Sequence, residues 1–407
     1  MIRAGQVVFL CVLSLLCIGV VMVSSAGMSV ADGQQVTFET IVFSRSTAYM
    51  LIAVAVMLAV GYLPITRLAE WSVTTRWTLA LIPLMVLGLL TVYTPLVGHE
   101  VKGSSRWIKI PGLGLTMQPS EIAKWGMIVL VSWYCIRKAD VLHKFKEGLL
   151  PALIGVGVLA AMVIKEDLGT GVLILAMSTV VLIGAGARIW HFAAMMPVAA
   201  LGLGAAVLAA PYRVKRVLTF LDPYSDPEGR GYHGIQSLVS IANGKLFGRG
   251  LGFGLQKFGY LPEDKTDFLF AVICEELGLI GATLVIVLYL VLLVAGWRIV
   301  KRQQSAMLKL VGLGVLSTVG IQAIINLLVV TGLAPTKGIA LPLLSSGGTG
   351  WILTAASLGL IVAMDRNTVR DAAGVPITQG QIEAKGISTV QPLEHPEPEL
   401  GVLTPAA

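Results

Sequence analysis

Ten apolar runs mark the chain, at roughly 7–26, 47–64, 77–97, 121–136, 149–165, 170–187, 190–210, 268–297, 306–331 and 350–365. A helix that crosses the hydrocarbon core needs about 20 mainly apolar residues, with a range near 17–25. Each run therefore predicts one spanning helix, the fourth and last being short. The polar segment 211–266 is the longest connection, between the seventh and eighth runs. The predicted class is an all-α polytopic membrane protein of about ten transmembrane helices, with a large extracytoplasmic loop between spans seven and eight. The first run ends near Ser24-Ser25-Ala26, a pattern shared with cleaved signal peptides. An uncleaved first span makes the charge pattern consistent.

Lysine and arginine in short connections set orientation. Arg67 and Arg76, then Arg137, Lys138, Lys144 and Lys146, then Arg188, then Arg298, Lys301 and Arg302 fall on one side. Arg3, Arg366 and Arg370 join them, so that side is expected to be cytoplasmic and to hold both termini. The tail 371–407 is rich in Pro, Glu, Gln and Gly, lacks aromatics, and reads as a disordered cytoplasmic segment after a membrane domain of 1–370. The opposite side is basic too: Arg213, Lys215, Arg216, Arg230, Lys245, Arg249, Lys257 and Lys265 lie in 211–266, and Lys102, Arg106 and Lys109 in 98–120. Long loops cross largely regardless of charge, so the topology stands. These cations either solubilise the loops and touch headgroups, or line a cavity for an anionic group such as a lipid pyrophosphate.

Composition agrees. Of 407 residues 56% are hydrophobic and 13% charged, with a mean hydropathy of +0.82; a soluble domain has about 25% charged residues. The cysteines Cys11, Cys17, Cys135 and Cys274 all lie in apolar runs without metal spacing, which argues against a disulfide framework or zinc site.

The most informative stretch is 261–281, LPEDKTDFLFAVICEELGLIG. Glu263, Asp264, Lys265 and Asp267 stand just before an apolar run that itself carries Glu275 and Glu276. A charge at the centre of a membrane helix costs about 2.5–3.5 kcal/mol by insertion scales, so such groups are functional candidates. Asp267 stands where water ends and hydrocarbon begins, suited to chemistry on a lipid-linked substrate. Alternatively, it or Thr266 is the N-cap of the eighth span. Glu275 and Glu276 either serve that chemistry or pair structurally with Lys124 or another cation. Pro119-Ser120-Glu121 reads as a helix start, and Lys124 follows Glu121 on the same face, as a structural pair or as the lining of a polar groove. Asp167 reads as a cap or turn residue. The glycines of 248–254 lie away from any strand and make no nucleotide fingerprint.

Five segments together resemble the SEDS family (shape, elongation, division and sporulation), whose members include FtsW, RodA and SpoVE. They are RWIKI…MQPSEIAK (106–124), DLGTG (167–171), RVLTFLDPYSDPEGRGYHGIQSLVSIANG (216–244), YLPEDKTDFLFAVICEELGLIG (260–281) and GLAPTKGIALPLLSSGG (332–348). The likeness covers nearly all of 7–366, and Pro335-Thr336-Lys337-Gly338 looks more like FtsW and SpoVE than RodA. Departures are Lys265 where a histidine is usual, Ser345-Ser346-Gly347-Gly348-Thr349 for Ser-Tyr-Gly-Gly-Ser, and Asn243-Gly244-Lys245 for a double glycine.

The resemblance implies a peptidoglycan glycosyltransferase that polymerises lipid II on the outer face of the bacterial inner membrane, in division at the septum or, as the alternative, in elongation. It implies Asp267 as the catalytic residue of an external loop over about 211–267. The substrate-binding set expected with it is Lys102, Arg106, Gln118, Glu121, Lys124, Arg213, Arg216, Gln236, Glu263, Glu276, Lys337 and Ser345. No organic cofactor is expected; a divalent cation, Mg or Mn, held partly by Asp267 would suit the pyrophosphate. Expected partners are lipid II, the undecaprenyl-pyrophosphate-linked glycan, a class B penicillin-binding protein and other divisome membrane proteins, with no nucleic acid. Ala282, Gly296, Gly312, Gly314 and Gly320 on spans eight and nine mark either the docking face for that partner or close packing within the bundle. Two other readings remain open from the residues alone: a flippase for the lipid carrier, and a scaffold without catalysis.

Overall fold

Each apolar run folds as a helix whose ends are set by local chemistry. The computed structural model describes residues 3–27, 38–75, 77–92, 94, 98–101, 104–109, 116–229, 231–255, 265–336, 338–345 and 348–372. In order the helices are α1 (Ala4–Ala26), α2 (Phe38–Val42), α3 (Arg45–Gly61), α4 (Ile65–Thr75), α5 (Leu81–Thr91), α6 (Pro119–Arg137), α7 (Leu150–Glu166), α8 (Leu168–Gly184), α9 (Ile189–Leu208), α10 (Pro211–Leu221), α11 (Tyr232–Gly244), α12 (Leu269–Arg302), α13 (Ala306–Val330) and α14 (Thr349–Ala372). The chain divides into one unit over Met1–Thr368 and a second over Val369–Ala407; the proposed tail, 371–407, lies almost entirely outside the described residues.

All ten runs coincide with helices. Among the described residues, five are long and apolar enough to cross a membrane: α1, Phe145–Glu166 (α7 with the turn before it), α9, α12 and α13. The pair α3–α4 makes a sixth if counted as one span, although it bends by 73°. The bend falls at Tyr62-Leu63-Pro64, where proline cannot continue the hydrogen-bond ladder. Proline opens α6 and α10 at their first turn, where its missing N–H costs nothing. Ser44 caps α3 by accepting from the Thr47 amide at 3.1 Å.

Four helices were not foreseen as separate elements, α2, α4, α10 and α11, together with a three-stranded antiparallel sheet of β1 (Gly98–Val101), β2 (Ser104–Lys109) and β3 (Thr116–Met117) in order β1-β2-β3. α4 and α10 are amphipathic and too polar to span, so the scan for apolar runs passed over them.

α12 packs against α1, α11 and α13; α13 packs against α8 and α6, and α7 against α8. α9 contains no buried residue. Gly5 lies against Asp365, whose carboxylate accepts its amide at 3.2 Å. Gln303, after α12, donates to the Met364 carbonyl and the Thr368 hydroxyl of α14 at 3.3 and 2.9 Å. Arg366 lies over the Tyr62 ring at 4.3 Å. These contacts bring the end of α12, which carries Lys301 and Arg302, beside the start of α1, the end of α3 and the last turns of α14.

The segment 332–348 turns back into the protein. Leu341, Leu343 and Leu344 are buried, and Tyr289 of α12 donates its hydroxyl to the Pro342 carbonyl. Irregular backbone is tolerated at membrane depth only where protein or water covers it, and here α1 and α12 do so.

Candidate active site at the start of α12

The N-cap position of α12 is Phe268, which directly follows Thr266 and Asp267. Asp267 is half-buried in the turn before it. Phe268 is buried and stacks on His233 of α11, ring centroids 6.0 Å apart. The Asp267 carbonyl accepts from Asn326 Nδ2 of α13 at 2.9 Å, and the same Nδ2 donates to the Ile339 carbonyl at 2.7 Å. One amide therefore ties the Asp267 turn to the inturned segment 332–348. Asn326 Oδ1 is buried with no hydrogen-bond partner.

One turn earlier on α13, Gln322 repeats the arrangement. Its Nε2 donates to the Ala340 carbonyl at 2.9 Å, and its Oε1 accepts from Lys124 Nζ at 3.1 Å. Lys124 is 1% exposed, and its ammonium lies 2.8 Å from both carboxylate oxygens of Glu121. Proline at the start of α6 and the i,i+3 spacing put the pair on one face. The result is a polar seam from α6 across α13 to the backbone of Asp267. Lys124 is thus held by Glu121 and Gln322.

Gln118, at the N-cap of α6, donates to Asp167 at 3.2 Å. Asp167 caps α8, accepting from the Thr170 amide at 3.1 Å and its hydroxyl at 2.8 Å.

The two arginines of α10 separate in role. Arg213 donates to the carbonyls of Ile164, Lys165 and Ala206 at 2.7, 3.0 and 2.8 Å. It joins the C-terminal ends of α7 and α9, where exposed carbonyls favour a cation. Arg216 stacks near Tyr212, 5.6 Å from the ring centroid, and lines a shallow groove with Thr219, Pro223, Gly231, Leu238 and Thr336. Of the two, Arg216 is placed to meet an anion.

Glu275 and Glu276 are fully buried. Glu276 accepts from Ser25 of α1 at 2.8 Å and from the Gly252 amide at 3.0 Å; Glu275 accepts from the Leu255 amide at 3.0 Å. Just beyond them α12 breaks at Gly278, φ 67° and ψ −162°, a conformation open to glycine. Glu276 is therefore a clamp within the protein. Ser345 is similarly committed, its hydroxyl accepting from the Leu341 amide at 3.0 Å and its carbonyl from Trp351 at 2.6 Å. Gln236 lies half-buried on α11, and Arg106 falls on β2. Lys102, Glu263 and Lys337 lie outside the described residues.

Among the described residues no three or more His, Cys, Asp or Glu side chains gather in a way that holds a metal ion.

The expected docking face is corrected. Ala282, Gly296, Gly312, Gly314 and Gly320 are all buried. A Cβ on Gly312 would lie 2.5 Å from Val300, on Gly314 2.5 Å from Ile128, and on Gly296 2.6 Å from Leu316. These small residues let α12, α13 and α6 approach one another, so they pack within the bundle rather than on its surface. Gln322, Asn326 and Ser25 were missed, although the two amides at i and i+4 in an otherwise apolar helix were a visible signal.

The fold and this seam define a helical membrane protein whose polar centre is built from converging helix ends and an inturned loop. The family model for the FtsW/RodA/SpoVE cell cycle proteins matches residues 6–370. The chain is 34% identical over 358 residues to a protein of Geobacter sp. (strain M18) named probable peptidoglycan glycosyltransferase FtsW, covering 88% of this chain and 95% of that one. It is 38% identical to stage V sporulation protein E of Bacillus subtilis, over 87% of this chain and 94% of that one. Among solved structures, a chain of a peptidoglycan synthase complex that coordinates polymerization and crosslinking superposes with a TM-score of 0.66 at 26% identity, covering 89% of this chain and 98% of that one. The rod shape determining protein RodA of Thermus thermophilus shares the fold, with a TM-score of 0.57 at 23% identity over 89% of this chain and 96% of that one. The chain belongs to the FtsW/RodA/SpoVE family.

Proposed function

We propose that this protein is a peptidoglycan glycosyltransferase that polymerises lipid II, with Asp267 as general base. The observation that carries the reading is the tethering of the Asp267 backbone by Asn326, beside a seam holding a buried lysine, in a chain whose relatives bear that activity in their names. The 4-hydroxyl oxygen of the incoming lipid II sugar attacks the anomeric carbon of the lipid-linked glycan. A new glycosidic bond forms, the anomeric carbon–oxygen bond to pyrophosphate breaks with inversion, and the hydroxyl proton passes to the Asp267 carboxylate. A positioned base contributes typically about 10²–10⁴-fold. Pyrophosphate leaves readily, so the paired acid of a glycoside hydrolase is not needed. Arg216, with Arg106 and Lys102 in the preceding loop, offers positive charge for the developing phosphate charge. A divalent cation shared between Asp267 and the pyrophosphate would supply further stabilisation of that charge.

The membrane arrangement proposed with this reading has ten spans, both termini in the cytoplasm and the Asp267 end outside. It rests on the lysines and arginines that the sequence places in the short connections expected on the cytoplasmic side. A division role at the septum accords with the FtsW names of several relatives. Crosslinking of the strands would come from a class B penicillin-binding protein in trans, as befits likeness to a chain of a synthase complex. Incubating the purified protein with lipid II, alone and with a cognate class B penicillin-binding protein, tests the reading. Glycan strands on a gel support it; lipid II movement between leaflets without polymer would identify a flippase instead.

A further inference from the structure

The loop 245–255 follows α11 and lies against the broken turn of α12 at Gly278, and its two faces differ. Glycine stands at 248, 250, 252 and 254, the first three with φ of +78°, +99° and +84°, values that L side chains rarely adopt. The backbone lies against α12. The Arg249 and Gly250 amides donate to the carbonyls of Glu275 and Glu276, each at 2.9 Å, and the Leu279 and Ile280 amides donate to those of Lys245 and Leu246 at 3.0 and 3.3 Å. A Cβ on Gly248 would lie 2.1 Å from the Glu276 carbonyl oxygen, so this approach requires glycine. The larger side chains point the other way. Leu246, Phe247, Leu251, Phe253 and Leu255 are 50, 75, 47, 73 and 50% exposed, and Lys245 and Arg249 are exposed beside them.

So dense an apolar surface on an exposed loop marks a binding face. What it continues identifies the occupant. The loop is bonded to Leu279 and Ile280, themselves 58 and 54% exposed, where the exposed stripe of Leu284, Val287, Val291 and Val294 on α12 begins. α12 is long and apolar enough to cross a membrane, so this stripe faces lipid and the loop stands at its boundary. Phenylalanine and leucine on one face with lysine and arginine alongside suit the boundary between acyl chains and anionic headgroups. The geometry points to loop 245–255 as an interfacial anchor that inserts its five apolar side chains into the leaflet on the Asp267 side, with Lys245 and Arg249 on lipid phosphates. Because the loop is laddered to Glu275 and Glu276, the bilayer then sets the depth of the helix start that follows Asp267. This anchoring is independent of the reaction assigned above.

The test uses the full-length protein in nanodiscs containing anionic lipid. Cys17, the exposed cysteine, is replaced by serine, and the fluorophore NBD is attached at Phe247→Cys or Phe253→Cys, with Glu228→Cys as a water-facing reference. At both loop positions emission should shift to the blue, fall as lipids with a doxyl group near the headgroup are added, and resist reduction by aqueous dithionite. The Glu228 probe should be reduced quickly and ignore doxyl lipids. Reduction at 247 and 253 as fast as at 228 would overturn the anchor. So would protection from dithionite without doxyl quenching, which would mean that protein covers the face.

Discussion

The side-chain amide of Asn326 on α13 holds the backbone carbonyl of Asp267, in the turn before α12, at 2.9 Å across a long stretch of sequence. The same nitrogen holds Ile339, so the turn bearing the acid and the inturned segment share one fixed point. Asn326→Leu keeps the volume but removes the donor that both carbonyls share, and a buried acceptor that loses its donor costs about 1–3 kcal/mol. A lower melting temperature in detergent is expected, with polymerisation falling further than the folded fraction does. Wild-type polymerisation by the folded variant would show that the tether is dispensable.

The Glu121–Lys124 pair supports a second expectation. Lys124→Met strands a carboxylate beside a buried site, and breaking one partner of a buried pair costs about 3–5 kcal/mol in soluble proteins. The double variant Glu121→Gln, Lys124→Met should recover much of that stability without recovering polymerisation. Melting curves and lipid II turnover measured on the same preparations separate the two contributions. Full activity in the double variant would make the pair purely structural.

Neutralising the two arginines of α10 should have opposite signatures. Arg213 joins three carbonyls at the ends of α7 and α9, so Arg213→Gln should lower the melting temperature. Arg216 lines the groove, so Arg216→Gln should melt like the parent and bind lipid II less tightly. Equal shifts in both measurements for both variants would contradict this division.

Much of the helical plan was legible because hydrocarbon leaves a chain few choices: backbone must pair within a segment, so long apolar runs become helices. Lys124 with Glu121, and Asp167 as a cap, were readable from spacing alone. Asn326 and Gln322 were not singled out, because their partners are carbonyls of residues 339, 340 and 267, which only the inturned path of 332–348 brings near. Arg213 looked like Arg216 in sequence, and only the carbonyls at two helix ends distinguish them. Glu276 could be read from sequence either as a substrate contact or as half of a structural pair, and its partner amide at Gly252 comes from the glycine-rich stretch 248–254, which lies close against α12.

The glycines of α12 and α13 carry a prediction that reverses the docking expectation. Gly312→Leu and Gly314→Leu overpack a core where neighbours already stand within 2.5 Å of an added Cβ, which costs about 1–3 kcal/mol or more. Both should destabilise the protein in the absence of any partner, as thermal melts of the isolated chain would record. Normal melting with selective loss of partner co-purification would restore the docking role.

The most direct measurement is polymerisation of purified lipid II by Asp267→Asn, set beside the parent protein at matched folded concentration. The substitution keeps the size of the side chain and removes its capacity to take a proton at neutral pH. Glycan strands should disappear from the gel while the melting temperature and lipid II binding stay near those of the parent. Strand synthesis at the parental rate would contradict the assignment of Asp267 as general base.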